Sequence, residues 1–178
     1  MAGYKEIKGF QVQTRSEDPT PYAQALADNP YVGSWGSGGN LNLARSLLSA
    51  AGIQTAALAF GGDGSPLPAV GVDTESYNGT SWTEAANINS NRYGSAGIGL
   101  YTAAIMAGGA NDPSSTNSLD VVESWNGSSW TEVAEINTGR AHMGSRAAGT
   151  QTAGLIFGGV NTYPGTNQLA VTESWNGS

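Results

Sequence analysis

The residues of this chain that could take part in chemistry are its carboxylates, its arginines and a single histidine. Five glutamates recur at equivalent positions of a repeated segment: Glu75, Glu84, Glu123, Glu132 and Glu173. A catalytic pair of carboxylates needs its two members in different environments, and repeated positions provide the same one. We therefore predict no catalytic residue and a structural role for these glutamates. Their expected partners are arginines that recur with the same spacing: Arg45, Arg92 and Arg140.

Metal and cofactor chemistry has equally little support in the sequence. His142 is the only histidine, and the chain has no cysteine. Imidazole and thiolate are the ligands that transition metals prefer, so one histidine leaves a metal site without its usual donors. The sequence also lacks a Gly-Lys-Ser/Thr loop that would cradle phosphates. We predict no metal site and no cofactor.

Composition indicates which elements must position these residues. Glycine contributes 26 of the 178 residues and charged residues only 12%, yet 39% are apolar and five are Trp. This combination is too apolar for a disordered chain and favours many short strands joined by tight turns. The net charge of −7 disfavours nucleic-acid binding, which needs a basic surface. No apolar run approaches the roughly 20 residues that span a bilayer, so no membrane insertion is predicted.

An internal repeat with a period of 47 to 50 residues dominates the sequence. In three places a Trp is followed ten residues later by an Arg, which links Trp35 to Arg45, Trp82 to Arg92 and Trp130 to Arg140. Each Arg precedes a strand-like run that ends in paired glycines, and then a Glu-Ser-aromatic-Asn-Gly segment. Such self-similarity is the signature of an array of small structural units. We place the units at about 45–86, 92–134 and 140–178.

Each unit predicts four antiparallel strands. The first lies near Tyr93–Gly99 in the second unit, and the second strands are the apolar runs Ala56–Phe60, Ala103–Ala107 and Gly154–Phe157. These runs do not alternate, which predicts that both faces of each sheet are covered. The third strand ends at the aromatic before Asn-Gly, and the fourth begins at Ser-Trp, with 33–44 as an extra fourth strand. Asn-Gly predicts a type I′ turn, with positive φ at both central residues.

The landmarks of the unit resemble those of kelch repeats: an apolar strand ending in Gly-Gly, an aromatic about 15 residues later, a Trp five residues beyond it and an Arg opening the next unit. The resemblance covers residues 33–178 and implies that each unit is one four-stranded blade of a β-propeller. Kelch units often carry an Asp-Pro turn where this chain has Asn-Gly-Ser/Thr-Ser-Trp. The close likeness among the units resembles the kelch-like arrays in structural proteins of tailed phages of marine bacteria.

Three blades are too few for a closed ring, because propellers have about four to eight. Either the polypeptide continues past Ser178, or several copies combine as a homo-oligomer. The half-made hairpin at Asn176-Gly177 favours continuation. An intact mass of 18.2 kDa together with a defined oligomer would exclude continuation.

Residues 1–32 lie outside the repeat. Thr20-Pro21 and Asn29-Pro30 enclose a predicted short helix, Tyr22–Asp28, which follows an edge-strand pattern over Phe10–Thr14. One interpretation is a loose leader packed on the first unit. The other, which the phage resemblance implies, is an adaptor arm that docks onto other virion proteins. Its expected docking residues are Tyr4, Phe10, Tyr22 and Tyr31.

The units differ most in the segments that follow the paired glycines, at 63–72, 110–119 and 160–169. Variation confined to one connection of a uniform scaffold is how repeat proteins build a binding face. The alternative is that these segments are solvated turns. The candidate binding residues, for a host-surface glycan or protein, are Asp63, Asn111, Asp112, Asn161 and Tyr163.

These features predict a non-enzymatic structural protein of a phage virion, a tail fibre or appendage assembled in the host cytoplasm. Residues 1–32 would anchor it to the particle, and the kelch-like propeller would face the host surface. One alternative is a bacterial kelch-type scaffold or lectin. A glycan-cleaving propeller enzyme is disfavoured, because the sequence lacks an asymmetric pair of carboxylates.

Overall fold

The computed structural model describes residues 33–64, 69–111, 118–143, 147–162 and 167–177. These residues form strands and irregular connections without a helix, which confirms the predicted all-β class. The chain divides into two compact units, Met1–Ser37 and Gly38–Ser178. The predicted helix and edge strand of the amino-terminal segment lie outside the described residues, as do the predicted docking residues Tyr4, Phe10, Tyr22 and Tyr31.

All strands of the described chain lie in the second unit. In chain order they are β1 (Arg45–Ser46), β2 (Ser49–Ile53), β3 (Ala56–Phe60), β4 (Asp63–Gly64), β5 (Ala69–Val70), β6 (Thr74–Tyr77), β7 (Trp82–Ala85), β8 (Ala96–Leu100), β9 (Ala103–Gly109), β10 (Leu119–Trp125), β11 (Trp130–Val133), β12 (Ala147–Thr150), β13 (Ala153–Phe157) and β14 (Thr172–Trp175).

Three antiparallel sheets repeat one architecture. Sheet I has the order β2-β3-β6-β7, sheet II the order β8-β9-β10-β11 and sheet III the order β12-β13-β14. The apolar runs form the second strand of each sheet, and the third strand ends at the aromatic before Asn-Gly, as predicted. Four strands per sheet are confirmed for sheets I and II, whereas sheet III has three among the described residues. A fourth, small sheet has the order β1-β4-β5.

The extra fourth strand predicted over 33–44 is not formed. Residues 33–44 contain no strand, and Trp35 is fully exposed. The Ser34-Trp35 start that this segment shares with β7 and β11 is therefore not sufficient to form a strand.

The hairpin between the third and fourth strands forms where predicted, but not as a type I′ turn. Tyr77 pairs with Trp82, so four residues connect the strands instead of two. Gly79 has a φ of 93°, but Asn78 is not among the described residues with positive φ. The Asn78 side chain closes the loop instead, because its Oδ1 accepts the N–H groups of Thr80 and Ser81, each at 2.9 Å. Asx-type side-chain bonding has replaced the backbone turn.

The first strands of the sheets lie against one another and bring the sheets close together. A Cβ atom at Gly97 on β8 would lie 2.3 Å from the carbonyl oxygen of Ala50 on β2, so only glycine fits. Ser49 Oγ lies 2.7 Å from Ser95 Oγ across the same boundary. Small side chains at these positions permit the approach, as the Ala- and Gly-rich sequence predicts.

Two apolar layers form the core between successive sheets. Leu58 and Phe60 of sheet I pack against sheet II in the first layer. Ile105 and Val122 of sheet II pack with Ile156 of sheet III in the second. Sheet II is therefore covered on both faces, and every residue of β9 after Ala103 is buried.

The prediction that both faces of every sheet are covered is wrong for sheet III. Strand β13 alternates, with Gly154 and Ile156 buried while Leu155 and Phe157 are exposed. Buried residues face sheet II, and no further sheet lies on the other face among the described residues. Leu155 and Phe157 therefore form an apolar surface that no sheet covers within the described part of the chain.

Candidate functional site

The three repeated arginines form ion pairs with Glu75, Glu123 and Glu173, as predicted, whereas Glu84 and Glu132 are exposed and form no ion pair within the described residues. Each arginine precedes the first strand of a sheet in the sequence, and each paired glutamate lies on the third strand of that sheet. The paired side chains are almost entirely removed from solvent, the most exposed being the 14% of Glu173. The pairs are Arg45 with Glu75, Arg92 with Glu123, and Arg140 with Glu173.

An asparagine three residues before the arginine completes this arrangement. Glu123 Oε2 accepts hydrogen bonds from the backbone N–H of Asn89 at 2.8 Å and from its Nδ2 at 2.7 Å. Glu123 Oε1 accepts from the N–H of Ser90 at 3.3 Å and lies 2.9 Å from Arg92 Nη2. Asn89 also donates to the carbonyl oxygen of Trp130 on β11 at 3.2 Å. We call this set of contacts the Asn-Arg clamp.

The Asn-Arg clamp fastens each incoming connection to the sheet that follows it. Asn42 donates its N–H to Glu75 at 2.7 Å, and Asn137 donates its N–H to Glu173 at 2.6 Å. The role of these asparagines was not predicted, although they recur in the sequence three residues before each arginine. Donors occupy both oxygens of Glu123, which favours a structural role for the carboxylate.

The clamp of sheet II differs from the other two in its arginine. Arg45 Nη1 donates to the carbonyl oxygen of Asp73 at 2.6 Å, and Arg140 Nη1 donates to that of Val171 at 3.0 Å. The fully buried Arg92 contacts Glu123 through Nη2 at 2.9 Å, while its Nε and Nη1 have no hydrogen-bond partner within the described chain. Burial lowers the pKa of Arg92, and the charge of Glu123 opposes this shift.

His142 takes a structural position in the described chain. Its φ of 56° lies in the left-handed region, as do those of Leu47 and Gly94 at equivalent places two residues after an arginine. The His142 ring meets Tyr93 edge to face, with the centroids 6.4 Å apart. Among the described residues, no group of three or more His, Cys, Asp or Glu side chains is placed to hold a metal ion.

The predicted binding residues lie on the connections that follow the paired glycines. Asp63 is half-buried in β4, and its backbone pairs with Ser46 and Val70. The first residue of this connection is therefore part of the small sheet β1-β4-β5. Asn111 is exposed. Asn161 Oδ1 accepts a hydrogen bond from Asn167 Nδ2 at 2.8 Å, which ties the two ends of its connection together. Asp112 and Tyr163 lie outside the described residues.

These connections start from equivalent anchor points. Backbone bridges join Tyr93 to Ala110 in the second unit and Ala141 to Val160 in the third, as Ser46 joins Asp63 in the first. Ser118 Oγ donates to the carbonyl oxygen of Val160 at 2.9 Å and so links two neighbouring connections. The connections therefore leave the same end of each sheet, but the structure shows no contact between Asp63, Asn111 and Asn161.

An apolar pocket between sheets II and III was not anticipated from the sequence. It lies beside the third strand of sheet III and includes the Trp175 side chain. Its other apolar side chains are Ile98, Ile105, Ala107, Val122, Ala134, Ile136 and Ile156, and its polar residues are Glu135, Asn137, Glu173 and Ser174.

Neither the comparison with protein-family models nor the comparison with curated proteins finds a match to this chain. Within the described ranges, no helix has the length and apolar character needed to cross a membrane.

Proposed function

We propose that this chain is a non-enzymatic binding protein of a phage virion, in which residues 33–178 form kelch-like propeller blades. The repeated antiparallel sheets, the paired glycines that end each second strand and the buried Trp130 between sheets support the kelch-like assignment. Residues 1–32 would attach the protein to other virion proteins. The blades would then present the connections after the paired glycines to the host surface.

One contrast carries the proposal. The Asn-Arg clamp recurs in all three units, while the connections that leave the same end of each sheet differ in sequence. A scaffold held constant by buried ion pairs, with variation restricted to exposed connections, suits recognition better than catalysis. Asn111 and Asn161 offer amide donors and acceptors of the kind that bind sugar hydroxyl groups or a protein backbone.

The virion role is tested by asking whether purified phage particles contain the protein. Mass spectrometry of gradient-purified particles should detect its peptides at a constant ratio to the major capsid protein, and antibody labelling should locate it on the tail or another appendage. Particles that lack it would exclude the virion role. Binding to host cells or glycans by a protein absent from particles would instead favour a bacterial scaffold or lectin.

The binding face is tested separately. The double variant Asn111→Ala/Asn161→Ala should weaken binding to host cells while lowering the free energy of unfolding by no more than about 1 kcal/mol, because Asn111 is exposed and Asn161 loses only its hydrogen bond with Asn167. Ile53→Ser is a suitable control, since Ile53 is 62% exposed at the β2–β3 turn, away from these connections. Equal binding by both variants would remove these residues from the site, and turnover of a host glycan would refute the non-enzymatic assignment.

A further inference from the structure

A second pocket lies between sheets I and II, at the end of the sheets where the β8–β9 turn meets the Asn-Gly loop of sheet II. Its walls include Leu58, Ser76 and Ala85 of sheet I and Tyr101, Trp125 and Ser128 of sheet II. The connections after the paired glycines leave the opposite ends of the second strands. The pocket is therefore distinct from the binding face proposed above.

The next sheet boundary shows which group bonds at the equivalent place. Gln151, in the turn between β12 and β13, reaches from sheet III to sheet II. Its Nε2 donates to Ser124 Oγ at 2.9 Å and to the carbonyl oxygen of Trp125. Ser124 is the repeat equivalent of Ser76. A primary amide therefore bonds, between sheets II and III, to the equivalent of a hydroxyl group that lines the pocket between sheets I and II.

Tyr101 stands at the position of this glutamine in the second unit. The carbonyl oxygen of Tyr101 accepts Trp125 Nε1 at 3.0 Å, and that of Gln151 accepts Trp175 Nε1 at 2.7 Å, so the two turns are held in the same way. The difference lies in the side chain, because Gln151 bridges to its neighbour whereas Tyr101 is 45% exposed beside the pocket. The three turns read Gln54-Thr55-Ala56, Tyr101-Thr102-Ala103 and Gln151-Thr152-Ala153.

The hydroxyl groups of the pocket are available as hydrogen-bond acceptors. Ser76 Oγ donates to the carbonyl oxygen of Thr83 at 3.4 Å, and Ser128 Oγ donates to Asn126 Oδ1 at 2.9 Å. Each hydroxyl has its one proton engaged within its own sheet but keeps lone pairs. A ligand in this pocket must therefore bring donors, as the amide of Gln151 does at the next boundary.

Charge and shape restrict the ligand further. None of the residues that line the pocket is charged, so an enclosed charge would lack a counter-ion. Tyr101 exposes its ring beside the pocket, and the negative face of an aromatic ring attracts C–H groups. The volume of about 300 Å³ is at the lower end of the range for small-molecule sites. A pyranose ring combines an apolar C–H face with several hydroxyl donors and carries no charge.

We infer that this pocket binds one neutral sugar ring of a glycan. A C–H face of the ring packs on Tyr101, and two of its hydroxyl groups donate to Ser76 Oγ and Ser128 Oγ. The inference goes beyond the proposed function, because the site uses neither residues 1–32 nor the connections after the paired glycines. It does not depend on the virion role.

The site is tested by NMR titration of the isotope-labelled full chain with the methyl glycosides of glucose, galactose, mannose and N-acetylglucosamine. The indole N–H of Trp125 bonds to the Tyr101 carbonyl and reports on this pocket. We expect its resonance to shift saturably with at least one glycoside, with a dissociation constant in the millimolar range. No saturable shift with any of the four overturns the inference. Shifts confined to Asn111 and Asn161 would support the proposed binding face and exclude this pocket.

Two substitutions on the same turn separate the pocket from the surrounding surface. Tyr101→Gln introduces the residue of the other two units, whose amide should bond to Ser76 and compete with the ligand. We expect a loss of affinity of about 10-fold or more without a lower thermal midpoint. Leu100→Ser is the matched control, because Leu100 is 54% exposed next to Tyr101 but does not line the pocket. Equal affinities of the two variants contradict the site.

A second probe distinguishes a sugar from a protein side chain. N-acetylglutamine methylamide carries the same amide as Gln151 and is also neutral. We expect it to bind more weakly than the best glycoside, because it has no ring face to pack on Tyr101. Ser76→Ala should weaken the glycoside about 5-fold, the effect of losing one hydrogen bond. Binding of the glutamine derivative but of none of the glycosides would assign the pocket to a protein partner and overturn the inference.

Discussion

The Trp130 ring of sheet II meets the Phe60 ring of sheet I edge to face, with an interplanar angle of 62°. Both side chains are buried, and the indole N–H of Trp130 donates to Thr74. This contact joins residues that are far apart in the sequence but occupy adjacent sheets. It shows how one repeat unit depends on the next for its stability, as in other repeat arrays.

Replacing Trp130 by Ala should therefore lower the free energy of unfolding by about 3–5 kcal/mol, since a large core side chain is lost. Trp130→Phe should cost about 1–3 kcal/mol, because Thr74 then loses its hydrogen-bond donor. Trp82→Ala is the matched control and should cost less, because Trp82 is only half-buried. Urea unfolding at concentrations that keep the chain monomeric measures all three. Equal losses for Trp82→Ala and Trp130→Ala would contradict the interpretation.

The Asn-Arg clamp should be most sensitive at Glu123. Glu123→Gln leaves the buried charge of Arg92 without its counter-ion and should destabilise the protein by about 3–5 kcal/mol. Glu173→Gln should cost less, because the Glu173 side chain is partly exposed. Adding Arg92→Met to Glu123→Gln should recover part of the loss, since the unpaired charge is removed. A double variant whose loss equals the sum of the single losses would show that the two residues do not interact.

Gly61 is expected to tolerate no side chain. Its φ is 63°, and a Cβ atom would lie 2.6 Å from the carbonyl oxygen of Arg92 in the connection to sheet II. Gly61→Ala should cost more than the 1–2 kcal/mol or so of the left-handed conformation alone. Gly71→Ala is the control, because the nearest atom to its Cβ would be a side-chain oxygen of Asp73 at 3.3 Å. Similar thermal midpoints for the two variants would refute the proposed clash.

The loop between the third and fourth strands should depend on its asparagine. Asn126 Oδ1 accepts the N–H groups of Ser128 and Ser129, each at 2.9 Å. Asn126→Ala removes both hydrogen bonds and should lower stability by about 1–2 kcal/mol. Asn126→Asp keeps the acceptor oxygen and should retain most of the stability. Thermal unfolding checks this order. An Ala variant as stable as the Asp variant would show that the loop conformation depends on its glycine and not on the Asn126 side chain.

Local sequence by itself determined most strands of sheets I to III, the position of the hairpins and three ion pairs, but not the strand predicted over 33–44 or the small sheet β1-β4-β5. Each strand boundary carries a local motif: paired glycines end the second strand, Asn-Gly follows the third and Ser-Trp begins the fourth. The spacing of these motifs therefore predicted the positions of the second, third and fourth strands. Arginines and glutamates that recur in phase occupy equivalent places, which made their pairing predictable. The turn type was mispredicted because the Asn78 side chain, not the backbone, closes the loop.

Tertiary structure alone decided which faces and which tryptophans are buried. Trp35, Trp82 and Trp130 share the same local pattern, yet they are fully exposed, half-buried and buried respectively. Strand β13 has the apolar composition of β9, but only one of its faces is covered. Burial depends on whether a neighbouring sheet is present. A repeat sequence predicts which surfaces of the units are equivalent. Whether such a surface is buried depends on whether another sheet packs on it.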